Sequence, residues 1–129
     1  MPLLRFDIIE GRTDEELKEL LDATHDVVVK AFGVPVGDRY QIVSQHRPNE
    51  MIIRDTGLGF ERSDKVVVIS MRSTQRSDKQ KKDFYNMLVK ELGERCGMEP
   101  NDIMINIMTN GAADWSFGFG EAQFLTGEL

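Results

Sequence analysis

Arg12-Thr13-Asp14-Glu15-Glu16-Leu17-Lys18 and Arg76-Ser77-Asp78-Lys79-Gln80-Lys81-Lys82 stand 64 positions apart, and their likeness decides how the chain is built. Each begins with an arginine and a hydroxyl residue fit to cap a helix, and each carries Glu or Gln at the third helical position. That is a capping box, in which hydroxyl and carboxyl or amide oxygen each take one otherwise orphaned backbone N–H. After the first box Leu17, Leu20, Leu21, Thr24, Val28 and Phe32 share one helical face, and Gly33 stops the helix. After the second, Phe84, Met87, Leu88 and Leu92 make the stripe before Gly97. The same offset sets Asp38 against Asp102 and the apolar stretch 3–9 against Val66-Val67-Val68-Ile69, so the chain reads as one unit duplicated.

Working outward, Leu3 to Ile9, Tyr40 to His46, the segment from Val66 and Ile103 to Met108 read as strands. A helix joining two strands of one sheet makes a right-handed crossover with the strands parallel. The expected fold class is therefore α/β, with duplicated β-α-β units forming a four-stranded sheet and two helices on one face. One domain covers 1–129, with pseudo-repeats at about 2–46 and 66–110, a connector at 47–65 and a C-terminal tail at 111–129. The connector is long for a structureless loop, so a short strand is expected at Met51-Ile52-Ile53. Strands apolar on both parities (Val66-Val67-Val68, Ile103-Met104-Ile105) predict that the second sheet face is buried by other subunits in a symmetric oligomer.

Composition removes several classes of function. The net charge is −6 with scattered acids and no basic stripe, which argues against a nucleic-acid partner. No run of about 18 apolar residues occurs, and five acids lie within the first 16 residues, so no membrane span or signal peptide is expected and the compartment is the cytoplasm. The single Cys96 reads as a buried structural thiol. His25 and His46 have no third ligand in a recognisable pattern, so no metal is expected, and Gly57-Leu58-Gly59 lacks the Lys-Ser/Thr of a phosphate loop.

Pro2 is the residue that offers chemistry. If Met1 is removed, Pro2 becomes a secondary amine with an ordinary α-amino pKa of about 7.7–8.0, near enough to neutrality to be tuned either way. Its other reading is a strand start, where a missing N–H costs nothing.

Taken together, Pro2 opening a strand, Glu10 to Lys18, the strand–helix–strand unit and an aromatic-glycine tail resemble the tautomerase superfamily, and within it the malonate semialdehyde decarboxylase branch. The resemblance runs over Ala31-Phe32-Gly33-Val34-Pro35, Asp38-Arg39-Tyr40, Val43 to Pro48, Asp55 to Gly59, Asp114 to Gly118 and Phe124 to Gly127. It implies a trimer and an amino-terminal proline as catalyst, with no cofactor. It also implies an assisting aspartate, matched by Asp38, and two arginines separated by one residue. Arg76 matches the second; Thr74 stands where the first would be, with Arg72 one pleat earlier on the same face, roughly 6.5–7 Å along the strand. In similar enzymes the residue matching Arg12 binds substrate carboxylate across a subunit boundary. By spacing alone Arg12 is a pre-cap surface arginine repeated by duplication, and Asp38 a turn residue like Asp102. Trp115, Phe117, Phe119 and Phe124 either wall a small apolar pocket, as the resemblance implies, or pack between subunits.

The implied function is decarboxylation of a small 3-oxo acid such as malonate semialdehyde, with Pro2, Asp38 and Arg76 catalytic and Arg72, Thr74, Arg12, Trp115, Phe117 and Phe124 around the substrate. Keto-enol tautomerisation of a 2-oxo acid or hydration of an unsaturated acid is the alternative that Thr74 admits. An inactive oligomeric binding module is the alternative of another class.

Overall fold

Both capping boxes form. In the computed structural model, which describes residues 2–129, Glu16 N donates to Thr13 Oγ1 (3.1 Å) and Thr13 N to Glu16 Oε1 (2.9 Å). Gln80 N donates to Ser77 Oγ (3.1 Å) and Ser77 N to Gln80 Oε1 (3.0 Å). They start α1 (Asp14–Phe32) and α2 (Asp78–Cys96), which end at Gly33 (φ 65°) and Gly97 (φ 64°), left-handed positions that glycine takes without strain.

The strands are β1 (Leu3–Ile9), β2 (Tyr40–His46), β3 (Val67–Thr74) and β4 (Ile103–Asn110), in the order β2-β1-β3-β4. β1 pairs β2 and β3 pairs β4 in parallel, as the crossovers require, while β1 and β3 run antiparallel at the centre. The two halves thus face each other about an approximate twofold axis at the Phe6–Ile69 pair. Leu4, Phe6 and Ile8 of β1 and Val67, Ile69 and Met71 of β3 are buried on the face that both helices cover, in one cluster with Leu20 and Val28 of α1 and Phe84, Leu88 and Leu92 of α2. Among the described residues no helix is long and apolar enough to cross a membrane.

Two expectations need correction. The offset of 64 holds for the caps and helices but not for the central strands. There the buried set Leu4, Phe6, Ile8 matches Val67, Ile69, Met71 at an offset of 63, because a strand's faces alternate with period two and a one-residue slip would turn apolar side chains outward. Nor is there a strand at Met51–Ile53: a short 3₁₀ turn (Pro48–Glu50) precedes an unpaired stretch that anchors by burying Met51 while Ile52 is exposed.

The sheet's other face is open in the chain. Ile42, Met104 and Met108 are exposed there beside Arg5, Arg72 and Asn106, so apolar groups are interspersed with polar ones. His46 Nε2 lies 2.7 Å from Asp7 Oδ1 on the same face.

Phe6 has no exposed surface and sits where the halves meet. Phe6→Ala is expected to destabilise the fold by about 3–5 kcal/mol, measured by denaturant unfolding.

Candidate active site

Antiparallel pairing at the centre brings the start of β1 beside the end of β3, so residues far apart in sequence share one pole of the sheet. Leu3 pairs Arg72, which places Pro2, one residue earlier, alongside Ser73, one residue later. Pro2 and Ser73 are both buried. Arg76, in the short link from β3 to α2, donates Nε to Ser73 Oγ (3.2 Å) and Nη1 to the Phe32 carbonyl at the end of α1 (3.3 Å), with its guanidinium carbon 5.2 Å from the Phe32 ring centroid. Burial pushes Arg76 below its ordinary pKa, while the charge of Asp38 acts in the opposite sense. Asp38 N is held by Pro35 O (3.0 Å) in the turn before β2, and its Oδ2 is buried with no hydrogen-bond partner among the described residues.

That orphan oxygen separates Asp38 from its repeat partner. Asp102 makes the same backbone turn, its N–H on Glu99 O (3.0 Å), but its carboxylate is engaged by Ser63 N (2.7 Å) and Ser63 Oγ (2.6 Å). Asp102 is a structural link between connector and β4. Turn geometry accounts for the backbone of Asp38 and not for its side chain.

The open-face side of the same pole carries Arg72 and Thr74, in register with Met108 and Asn110 of β4. Beyond β4 the tail folds back across it. Trp115 Nε1 donates to Asn110 Oδ1 (2.8 Å), Trp115 stacks on Phe117 (5.4 Å between centroids), and Phe117 stacks on Tyr40 (5.8 Å) and meets Phe124 edge-on (5.4 Å). Gln123, in the four-residue α3 (Gln123–Thr126), locks this turn: its Oε1 accepts from Phe117 N (3.0 Å) and its Nε2 donates to Gly118 O (2.9 Å). The aromatic wall therefore runs from β4 to β2 past the ends of β3 and β1. Phe119, expected with the other aromatics, is wholly exposed and takes no part.

Pro2, Asp38, Arg72, Thr74, Arg76, Trp115, Phe117 and Phe124 thus gather at one pole. Arg12 does not: it lies past the other end of β1, where its Nη2 donates to Lys65 O (2.6 Å). Within one chain it is remote from Pro2. The expected loss of Met1 concerns a residue outside those described. Gly57-Leu58-Gly59 is no phosphate cradle, because Asp55 takes the N–H groups of Leu58 (2.9 Å) and Gly59 (2.6 Å).

Sequence reading passed over Ser73, Asn110 and Gln123. The first was marked by strand parity opposite Pro2, the second by following the strand beyond Met108; nothing local pointed to the third.

Family models for tautomerase enzymes match residues 2–61 and 38–118. The chain belongs to the tautomerase family. The likeness is strong at full length: a probable tautomerase, YrdN of Bacillus subtilis (strain 168), is 56% identical over 129 residues, all of both chains. Malonate semialdehyde decarboxylase, solved in wild-type, mutant and inactivated forms to explain decarboxylase and hydratase activities, is 54% identical with a TM-score of 0.96 over 98% of each chain. A fused 4-OT solved as a symmetric trimer shares the fold alone, at 20% identity and a TM-score of 0.78 over 97% of this chain and 98% of that one. This tautomerase-family chain is accordingly an enzyme of the superfamily, structurally close to the decarboxylase.

Gln123→Ala leaves Phe117 N and Gly118 O without partners in a part-buried turn. It is expected to lower stability by about 1–3 kcal/mol and to red-shift Trp115 emission as the wall loosens.

Proposed function

We propose that this tautomerase-family enzyme decarboxylates a small 3-oxo acid such as malonate semialdehyde, with Pro2 as its catalytic amine after loss of Met1. The observation that carries this reading is the buried Asp38 Oδ2, without a hydrogen-bond partner among the described residues, beside Arg76 at the pole where Pro2 starts β1. A carboxylate left without a proton donor favours a cation next to it, and a prolyl ammonium is such a cation.

In the reaction the bond between the carboxylate carbon and its neighbour breaks, and its electron pair becomes the carbon–carbon double bond of an enolate. The carbonyl oxygen takes the charge, CO₂ leaves, and the enolate carbon then takes a proton to give the aldehyde. Pro2 as ammonium stabilises the growing charge on oxygen. Arg76 holds the departing carboxylate through paired N–H donors, and Arg72 lends a second charge from the open face. Trp115, Phe117 and Phe124 exclude water, which strengthens each of these interactions. Thr74, with a hydroxyl in place of a second arginine, favours as second reading the hydration of an unsaturated acid or the tautomerisation of a 2-oxo acid.

The open sheet face, with Ile42 and Met108 exposed, supports a homotrimer in which such faces enclose a common core. Arg12 then reaches a substrate only from a neighbouring subunit. The protein is expected to work without a cofactor and in the cytoplasm.

Purified enzyme given malonate semialdehyde is expected to release CO₂, with Pro2→Ala lowering kcat/KM by about 100-fold or more, within the range typical of removing a positioned acid or base. Intact mass should show the chain without Met1. The ammonium mechanism needs the protonated amine, so kcat/KM falls as pH rises through the prolyl pKa; a tautomerase using the neutral amine loses rate as pH falls. Full activity in Pro2→Ala, or Met1 retained throughout, overturns the role of Pro2. Light scattering should give three times the 14.7 kDa chain mass.

A further inference from the structure

Asp38 depends on its backbone for its place, because its buried Oδ2 has no partner among the described residues to hold the side chain. That backbone is the turn Pro35-Val36-Gly37-Asp38, closed by Asp38 N on Pro35 O (3.0 Å), with Val36 and Gly37 at its centre. The common forms of such a turn, type I and type II, differ by a rotation of the central peptide through roughly 150–170°. Here that peptide carries the Val36 carbonyl. Type II needs a positive φ at the second central residue, which glycine takes without strain. Gly37 lies outside that region, so the turn is not in the type II form, although its sequence allows it. Something outside the turn selects the form.

His25, a buried residue of α1, has its Nε2 2.6 Å from the Val36 carbonyl. A carbonyl only accepts, so the imidazole proton sits on Nε2. The Val36 side chain is exposed, and its carbonyl rather than its methyls attaches the turn to the helix. The repeat counterpart is built differently. In Glu99-Pro100-Asn101-Asp102 the Pro100 carbonyl accepts from the backbone N–H of Ile103, and Val89 stands where the offset of 64 places His25. The side-chain anchor thus belongs to the half whose aspartate is not engaged by a serine. We propose that His25 is a positioning residue of the active site, which holds Asp38 beside Arg76 by fixing the orientation of the Val36–Gly37 peptide. This rests on the role given to Asp38 in the reaction proposed above.

After Asp38, Arg39 Nη2 on Asp22 Oδ1 (2.8 Å) and Gln41 Nε2 on Leu21 O (2.8 Å) tie the entry of β2 to the same helix. Asp38 is therefore held from both sides, and His25 supplies the tie that precedes it. Without that tie the Val36 carbonyl turns to solvent and Gly37 enters the left-handed region. The carboxylate then loses its fixed place beside Arg76 and the Pro2 ammonium. A negative charge that withdraws from an ammonium lowers its pKa.

The test is His25→Leu in the full-length protein, which removes the donor and keeps an apolar side chain in the buried space. By NMR, the cross-peak between the Val36 and Gly37 amide protons should give way to one between Val36 Hα and the Gly37 amide proton, the mark of type II. With malonate semialdehyde, kcat/KM is expected to fall by about tenfold or more, as a small displacement at a reacting centre predicts, and its loss with rising pH should come at lower pH. His25→Gln, whose amide donates from the same place, should keep most of the rate. Gly37→Ala disfavours type II, and its Cβ meets nothing within 4 Å in the present form. Alone it should leave the rate unchanged, and added to His25→Leu it should recover it, which a merely structural histidine does not predict. A turn unchanged in His25→Leu, a rate unchanged while the turn changes, or no recovery on adding Gly37→Ala overturns the proposal. If the wild type does not turn over malonate semialdehyde, it is the proposed reaction that fails, and the cross-peaks, which need no substrate, still decide whether His25 holds the turn. Should His25→Leu not fold, nitrogen NMR of the wild-type imidazole decides: a proton on Nε2 supports the anchor, and a bare Nε2 overturns it.

Discussion

Antiparallel pairing of β1 with β3 about Phe6 and Ile69 is the constraint on which the rest of the molecule depends. A single strand–helix–strand unit buries only one side of its helix and leaves a strand edge unpaired, too little to outweigh the ordering entropy of so short a chain. Joining two units through their first strands removes both edges at the centre and lets the helices share one core across Phe32, Phe84, Leu88 and Val28. Arg95 ties the same helices on their outer side, reaching Glu19 and Asp26 of α1 and Glu91 of its own helix. Those ion pairs are partly exposed and contribute little beside the buried apolar surface. The packing holds the helices together.

The same pairing determines where chemistry is possible. Two strands that meet antiparallel present the start of one beside the end of the other, and this happens once at each pole. One pole receives Pro2, Ser73 and Arg76; the other receives Arg12 and Lys65. Duplication supplies both with an arginine and an aspartate, so it is the second partner of each that separates them. At the first pole the arginine is satisfied by Ser73 and Phe32 and, among the described residues, the aspartate oxygen is left over. At the second the aspartate is satisfied by Ser63 and, among the described residues, an arginine nitrogen is left over. An unsatisfied buried group costs about 1–3 kcal/mol, and the fold bears this once at each end with opposite charge.

The helices were legible because caps, stripes and stop glycines are local: Thr13, Glu16 and Gly33 each act within a few residues of where they stand. β2 was legible to the residue, since Tyr40–His46 is bounded by a turn on one side and proline on the other. The strand offset was harder. Val66, Val67 and Val68 are all apolar, so sequence offers no parity, and only the core shows that Val67 faces the helices while Val68 does not. Met51-Ile52-Ile53 failed as a strand for the complementary reason: three apolar residues in a row signal burial of some kind, and here one methionine is buried without any ladder.

Residues of the candidate site divide along the same line. Pro2, Asp38 and Arg76 carry recognisable chemistry and were visible as a set, although what makes Asp38 unlike Asp102 is the absence of a partner among the described residues, which no sequence displays. Ser73, Asn110 and Gln123 are ordinary polar residues whose importance lies in what they touch. Ser73 shows why this matters. Its hydroxyl gives its proton to the Thr74 carbonyl (2.8 Å) and accepts from Arg76 Nε, so it presents only a lone pair to the guanidinium. With the Phe32 carbonyl as second acceptor, Arg76 is held by two neutral oxygens. Neither neutralises its charge, which stays beside that of Asp38. Had either acceptor been an aspartate or glutamate, the arginine would be consumed by the fold.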